Sequence, residues 1–149
     1  MPVHQGVHQA RSAARRKALQ LLYQSEVTGA PTGQILERGL CIDEVGLPCD
    51  FTRMLLMGVC AHQTEVDMLI CQTSENWSLE RMPLVDKSIL RLATYEMLYV
   101  ADVPHSVSIN EAVELAKDFG GEDESSRFVN GVLGRIADLL EQKEGVIHG

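Results

Sequence analysis

Apolar residues recur at intervals of three and four along most of the 149-residue chain, and this spacing limits the fold more than any other feature. Residues spaced in this way lie on one face of an α-helix, because each residue turns the helix by about 100°. The sequence nowhere sustains the alternation of apolar and polar residues between turns that is typical of half-buried strands. It therefore predicts an all-α fold, a single compact helical domain of about six to seven helices.

Pro, Gly and capping residues divide the first half of this pattern into three helices. The first is predicted over residues 10–27, a short one over residues 32–38 and a long one over residues 50–70. The core side of the first helix is formed by small and aliphatic residues together with one serine: Ala14, Ala18, Leu21, Leu22 and Ser25.

Three further helices are predicted in the second half. Pro83 opens one of them, and Ser108 with Glu111 forms a capping box at the start of the next. Gly120 is expected to end that helix in a left-handed conformation, and Phe128 begins the last helix. The last helix holds two glycines that are small enough to admit a neighbouring helix, Gly131 and Gly134. The domain is predicted to span residues 10–141, with a flexible tail at residues 1–9 and another at 142–149.

Several classes of function are disfavoured by what the sequence lacks. No apolar stretch approaches the about 20 residues that cross a bilayer, and no secretory signal opens the chain, so we expect a cytoplasmic protein. The four cysteines lie 8, 11 and 11 positions apart, without the spacing of a zinc site, and are expected to be reduced and mostly buried. Nucleotide-binding, hydrolase and metalloprotease motifs are absent, so we expect no enzyme, no cofactor and no metal.

The charge is distributed unevenly along the chain. The formal net charge is −8, yet no acidic residue precedes Glu26. Residues 1–25 carry four bases, Arg11, Arg15, Arg16 and Lys17. A local cluster of this kind releases counterions from a phosphate backbone, which makes it a candidate nucleic-acid contact. The alternative is that the bases only make the helix soluble.

Tyr23 follows Arg16 by two helical turns, so that a cation and an aromatic ring share a second face of the first helix. This combination suits single-stranded RNA, because the guanidinium neutralises a phosphate and the ring stacks on a base. A half-buried ring with its hydroxyl in water is the alternative for Tyr23.

Charged residues in the helix after Pro83 lie outside its predicted apolar face and offer a candidate protein-binding surface. These residues are Asp86, Lys87, Arg91 and Glu96. Ordinary surface solvation explains them equally well from the sequence.

Four segments in collinear order resemble the NusB family of bacterial transcription antitermination factors. They read ALQLLY in the first helix, WSLERMPLVDKSILRLATYEM at residues 77–97, INEAVELAKDFG at residues 109–120 and FVNGVL at residues 128–133. Together they cover about residues 10–140, whereas residues 29–49 match poorly. The turn before Phe128 is one residue longer than the common family spacing.

The resemblance implies an adaptor that binds boxA RNA together with NusE, a ribosomal protein, and that helps RNA polymerase to read through terminators, chiefly in ribosomal RNA operons. The implied RNA surface comprises Arg11, Arg15, Arg16, Lys17, Tyr23, Phe119, Asp123 and Phe128. The implied NusE surface comprises Asp86, Lys87, Arg91 and Glu96. Some family members pair through the RNA face, so that a homodimer stays open. Two other hypotheses are a protein-interaction module that has lost RNA binding and a relationship to RNA cytosine methyltransferases.

Overall fold

The computed structural model describes residues 3–37, 50–74, 78–120 and 123–148; the side chains of 3–5, 37, 123 and 144–148 lie outside this description. The described residues form seven α-helices and one 3₁₀ turn, without a strand, which confirms the all-α prediction. The helices are α1 (Val3–Thr28), α2 (Thr32–Glu37), α3 (Asp50–Ala61), α4 (Gln63–Thr73), α5 (Leu84–Tyr99), α6 (His105–Phe119) and α7 (Asp123–His148), and the 3₁₀ turn is Leu79–Arg81. They cluster into two units, one ending at Ala61 and the other beginning at His62.

In the first unit, α1 packs against α2 and α3 through the predicted core stripe. Ala14, Ala18, Leu21 and Leu22 are buried, and Ser25 is half-buried. The buried hydroxyl of Thr52 in α3 donates to the backbone carbonyl of Ala14 at 3.0 Å, which ties the two helices together. Gly29 ends α1 with a φ of 77°, a conformation that glycine adopts without steric cost.

The terminal helices are longer than their predicted bounds. Helix α1 begins at Val3 rather than at residue 10, and α7 begins at Asp123 and continues to His148. Residues 3–9 and 142–148, assigned to the two tails, are therefore helical. The flexibility of the tails stays a prediction.

In the second unit, α5 is the central helix and packs against α4, α6 and α7. Pro83 precedes it as predicted, and the run from Ser88 to Met97 is buried on every side of the helix. Arg135 of α7 donates from Nε to the carbonyl oxygen of Thr73 at 2.6 Å, which satisfies a carbonyl that the end of α4 leaves without an intrahelical partner. These contacts make α5 the scaffold on which the other helices of this unit are positioned.

The predicted long helix over residues 50–70 is divided at His62. The imidazole of His62 stacks on the ring of Tyr99 with 4.2 Å between centroids, and its Nδ1 lies 3.8 Å from a carboxylate oxygen of Glu65. Tyr99 donates a short hydrogen bond to the same carboxylate. This bond is the main cause that raises the pKa of the Tyr99 hydroxyl, with burial adding to it. Although Tyr99 takes part in these contacts, it is 43% exposed.

Two predictions about helix ends are wrong. Helix α6 begins three residues before Ser108, whose hydroxyl is buried inside the first turn, so that Ser108 is no cap. Gly120 has a right-handed backbone with φ −82°, and not the left-handed cap. Its real role is to allow a close approach: a Cβ there would lie 2.6 Å from the carbonyl oxygen of Ala116 and 2.7 Å from Cβ of Ser125.

The close helix approach predicted at Gly131 and Gly134 is also absent. Among the described residues, a Cβ at Gly131 would meet only the Arg135 guanidinium, at 3.7 Å, and a Cβ at Gly134 would meet nothing within 4 Å. The cysteine prediction is wrong for Cys60 and Cys71, which are exposed. Cys41 and Cys49 lie outside the described residues. No single helix among the described residues is long and apolar enough to cross a membrane.

Candidate nucleic-acid interface

Arg16 and Tyr23 form an exposed pair on α1. They are seven residues apart, so that they lie on nearly the same side of the helix, about 10 Å apart along its axis. Arg16 is exposed and Tyr23 is 42% exposed. The pair therefore offers a cation and an aromatic ring to solvent on the same side of α1, the combination that single-stranded nucleic acid is bound by.

Arg15 does not belong to this exposed surface, because only 4% of it is accessible. Its guanidinium carbon lies 5.4 Å from the centroid of the Phe51 ring in α3, and that of Arg11 lies 4.7 Å from the same centroid. Two arginines one turn apart thus lie over one ring, and each gains a cation–π interaction. Arg15 was predicted to contact RNA, but in this structure its side chain packs between α1 and α3 and its charge is not presented to solvent.

Lys17 lies on a different side of α1 from Arg16. Consecutive residues are separated by about 100° around a helix, and Lys17 is half-buried. The four bases therefore divide into two that contact Phe51, one exposed beside Tyr23, and one pointing elsewhere. Sequence reasoning missed Phe51 as their partner, because its spacing in α3 is that of an ordinary core residue.

In the second unit, Phe119 and Phe128 lie on either side of the turn between α6 and α7. Phe119 is the last residue of α6, Phe128 is in the second turn of α7, and both rings are half-buried. Asp123 is the first residue of α7, and its side chain lies outside the described residues. The close approach at Gly120 brings the two helix ends together and leaves a cavity at the start of α7.

This cavity has a volume of 270 Å³ and is lined by Pro83, Asp86, Glu124, Ser125 and Phe128. Asp86 is 4% exposed, although it was predicted on an outer face of its helix. Its Oδ2 accepts a long hydrogen bond of 3.4 Å from the Ser125 hydroxyl, and no described residue donates to its buried Oδ1. Burial raises the pKa of Asp86, and the hydrogen bond from Ser125 lowers it in part.

The other charges predicted on the outer face of α5 are not arranged as one surface either. Arg91 is buried and forms a bidentate ion pair with Asp67 of α4, at 2.9 Å from Nε and 3.1 Å from Nη2. Glu96 is 2% exposed, and Lys87 is half-buried. Their spacing already contains the signal that was missed, because 100° per residue places Arg91 and Glu96 on different sides of the helix from Asp86.

The comparison with known proteins decides which family this arrangement of helices represents. Residues 12–138, which include parts of both units, match the profile of the NusB family. The chain belongs to the NusB family. It is 41% identical over 143 residues to the transcription antitermination protein NusB of Pelotomaculum thermopropionicum, an alignment that covers 94% of this chain and 97% of the relative.

Solved NusB structures share the fold. T. maritima NusB superposes with a TM-score of 0.76 at 39% identity, over 86% of this chain and 90% of that one. A chain from the crystal structure of the antitermination factors NusB and NusE in complex with dsRNA superposes with a TM-score of 0.73 over 88% of this chain and 98% of that one. The identity there is 23%, so that this second likeness supports the NusB fold alone.

Proposed function

We propose that this chain acts in transcription antitermination, by binding boxA-type RNA together with NusE and helping RNA polymerase to read through terminators, chiefly in ribosomal RNA operons. Membership of the NusB family, over residues 12–138, supports this proposal. The observation that carries it is that α1 presents Arg16 and Tyr23 together to solvent.

RNA is contacted by each unit through its own surface. In the first unit, Arg16 neutralises a phosphate and the exposed Tyr23 ring accepts a stacked base, with Arg11 and Lys17 adding positive charge. In the second unit, the half-buried rings of Phe119 and Phe128 accept unstacked bases, and Asp123 accepts a hydrogen bond from a base. Arg15 acts by packing on Phe51, which holds the basic helix against α3.

NusE supplies the positive charge that the rest of this chain lacks. A chain with net charge −8 attracts a basic ribosomal protein at long range and repels RNA away from its basic helix. Among the residues of the implied NusE surface, Lys87 is accessible, whereas Asp86, Arg91 and Glu96 are buried. The adaptor works in the cytoplasm, without a catalytic activity of its own, and offers its bound RNA and NusE to the polymerase.

The experiment that tests this proposal measures the affinity for boxA-type RNA with and without NusE at two salt concentrations. Arg16→Ala is expected to weaken RNA binding, whereas Arg53→Ala, which removes an exposed arginine of α3, leaves it unchanged. Equal affinities for the two variants would reject the role of the α1 surface. Unaltered capture of NusE by a protein that shows no RNA footprint would favour the protein-interaction module.

Sizing the isolated protein, and then adding NusE and labelled RNA in turn, separates the possible assemblies. A homodimer that dissociates when RNA is added would place the RNA surface in the dimer contact. A single species that grows with each addition would indicate a monomer that assembles stepwise.

A further inference from the structure

We propose that the surface formed by the start of α4 and the last turn of α5 docks a basic protein segment that presents an arginine. This surface, the acidic aromatic patch, consists of His62, Glu65, Met68 and Tyr99. Tyr99 lies about 18 Å along α5 from Lys87, the accessible residue of the implied NusE surface. The inference goes beyond the proposed function, because it assigns a surface that uses neither RNA nor NusE.

Stacked rings hold Tyr99 in one orientation. The centroid of its ring lies 4.2 Å from that of His62 and 5.2 Å from that of the buried Tyr95. Tyr99 is nevertheless 43% exposed. A guanidinium is planar and more weakly hydrated than an ammonium, so that it stacks readily on an exposed aromatic ring. The exposed part of Tyr99 is therefore a preformed platform for an arginine side chain.

Glu65 supplies a negative charge beside this platform. Its Oε2 accepts the hydrogen bond from the Tyr99 hydroxyl and lies 3.8 Å from Nδ1 of His62. Both contacts use Oε2, so that Oε1 is left for a further donor, and 49% of the side chain is accessible. Hydrogen bonds between a guanidinium and a carboxylate are among the strong ones in proteins, since both groups are charged. An arginine that stacks on Tyr99 can thus donate to Glu65 at the same time.

The patch has no basic residue of its own. Neither residues 54–80 nor residues 92–116, the two stretches that contribute to it, include a lysine or an arginine. Arg91 contacts α4, but it is buried in its ion pair with Asp67. Arg135 contacts the opposite end of α4. The charge of the patch is therefore the reverse of that of α1, and it attracts a cationic partner.

An apolar groove continues from the patch along α4. Met68 follows Glu65 by one turn and is 61% exposed. The groove has a volume of 490 Å³ and is lined, among the described residues, by Thr64, Asp67, Met68 and Cys71. Because methionine is flexible and polarisable, it adapts to apolar side chains of different shapes. The partner is therefore expected to carry an apolar residue near its arginine.

Charge favours a basic protein over the other possible occupants. The phosphates of RNA are repelled by a surface whose exposed charges are carboxylates. A second copy of this chain also carries a net charge of −8, so that two copies repel each other at long range. A basic protein segment meets neither obstacle. Arginine is preferred to lysine because only the guanidinium is planar enough to stack and donate together.

The test measures the fluorescence anisotropy of two labelled peptides, Gly-Arg-Leu-Gly-Arg-Leu-Gly and the same peptide with lysine in place of arginine. Each is titrated with the unchanged chain, Glu65→Gln, Tyr99→Ala and Glu141→Gln, a matched substitution at an exposed position of α7. We expect the arginine peptide to bind Glu65→Gln and Tyr99→Ala about fivefold more weakly than the unchanged chain and Glu141→Gln. The lysine peptide should bind the unchanged chain about threefold more weakly than the arginine peptide.

Equal binding of the arginine peptide to all four proteins would overturn the inference, and so would equal binding of the two peptides to the unchanged chain. Glu65→Gln should keep its affinity for boxA-type RNA and for NusE, and a loss of either would assign the patch to that contact instead. Self-association of the unchanged chain that Glu65→Gln abolishes would assign the patch to a second copy. The peptide titrations contain neither RNA nor NusE, so that they stay decisive even if the proposed function fails.

Discussion

Arg15 and Arg16 are neighbours in the sequence, but the structure buries the first and exposes the second. Arg15 is buried over Phe51, and Arg16 is exposed beside Tyr23. Composition and spacing placed both in one basic cluster, because neither reveals which side of a helix a second helix covers. The structure makes Arg15 a packing residue and leaves Arg16 exposed, so that only Arg16 is placed as the proposed phosphate contact requires.

The two arginines should therefore respond differently to truncation. Arg15→Ala removes buried packing and a cation–π contact, and we expect it to lower the free energy of unfolding by about 1–3 kcal/mol. Arg16→Ala should leave stability within about 0.5 kcal/mol of the unchanged chain. Chemical denaturation of both variants measures this difference. Equal losses of stability would contradict the assignment.

Replacing Tyr23 tests RNA binding, and the melting temperature of the same variant serves as the control for stability. Tyr23→Ala is expected to weaken RNA binding by about 1–3 kcal/mol if a base stacks on the ring. Because the ring is 42% exposed, the melting temperature should change little. Tyr23→Phe keeps the ring and should retain most of the affinity. A loss in Tyr23→Ala that appears only as lower stability would indicate a packing role.

Asp86 connects burial with the pH dependence of stability. Its pKa is raised by burial, so that the folded state binds this proton more tightly than the unfolded chain does. The free energy of unfolding therefore falls as pH rises from the ordinary pKa of an aspartate through the raised one. We expect Asp86→Asn to melt at a higher temperature than the unchanged chain at neutral pH. The difference should vanish below the ordinary pKa, and thermal melts at several pH values measure it. A variant that melts lower at neutral pH would show that the charged carboxylate stabilises the fold.

At the scale of helices, the periodicity of apolar residues predicted the elements well and their ends less well. Helix bounds depend on contacts that the pattern of apolar residues does not contain. Helix α1 continues through Gly6 to Val3. The segment over residues 50–70 is divided at His62, whose ring stacks on Tyr99. The faces of α5 were predicted incorrectly because periodicity assumes one covered side. A helix with neighbours on several sides buries its charged residues as well, and each then needs a partner, as Arg91 has in Asp67.

Two glycines, Gly120 at the end of α6 and Gly134 within α7, should respond oppositely to replacement by alanine. Gly120→Ala forces a Cβ to within 2.6 Å of the Ala116 carbonyl oxygen in α6 and 2.7 Å of Cβ of Ser125 in α7, so that the end of α6 must distort and the ends of α6 and α7 must separate. We expect a loss of stability of about 1–3 kcal/mol. Gly134→Ala places its Cβ in open space within α7 and should raise stability by about 0.5–1 kcal/mol. Thermal or chemical unfolding of this matched pair checks both signs, and destabilisation by Gly134→Ala would refute the open space beside it.

At the scale of the whole molecule, the distribution of charge matters more than its sum. A net charge of −8 favours solubility and a basic partner, while the proposed RNA contact depends on the few bases of α1, which no acidic residue precedes or accompanies before Glu26. Since Arg15 is buried, at most three of the four bases of α1 can contact phosphates. The positive charge of α1 that can contact RNA is therefore smaller than the four bases in the sequence suggest.

This count predicts a moderate salt dependence for the isolated protein. Three phosphate contacts on single-stranded RNA give a slope of about −2 in a plot of log affinity against log salt. Arg16→Ala should reduce the magnitude of the slope by about 0.7, and added NusE should make it steeper. Titrations at several salt concentrations measure these slopes. A slope near zero would mean that phosphate contacts contribute little to binding.

The sequence by itself determined the helical class, most of the buried apolar positions, the family and the uneven charge, because each of these is written in local spacing or in residue order. Only the tertiary structure decided which charged residues are accessible. It placed Arg15 on Phe51, Arg91 on Asp67 and Asp86 beside Phe128. Each of these pairs joins residues more than 20 positions apart, and the number of neighbours around a helix is a property of packing that no periodicity along one segment contains.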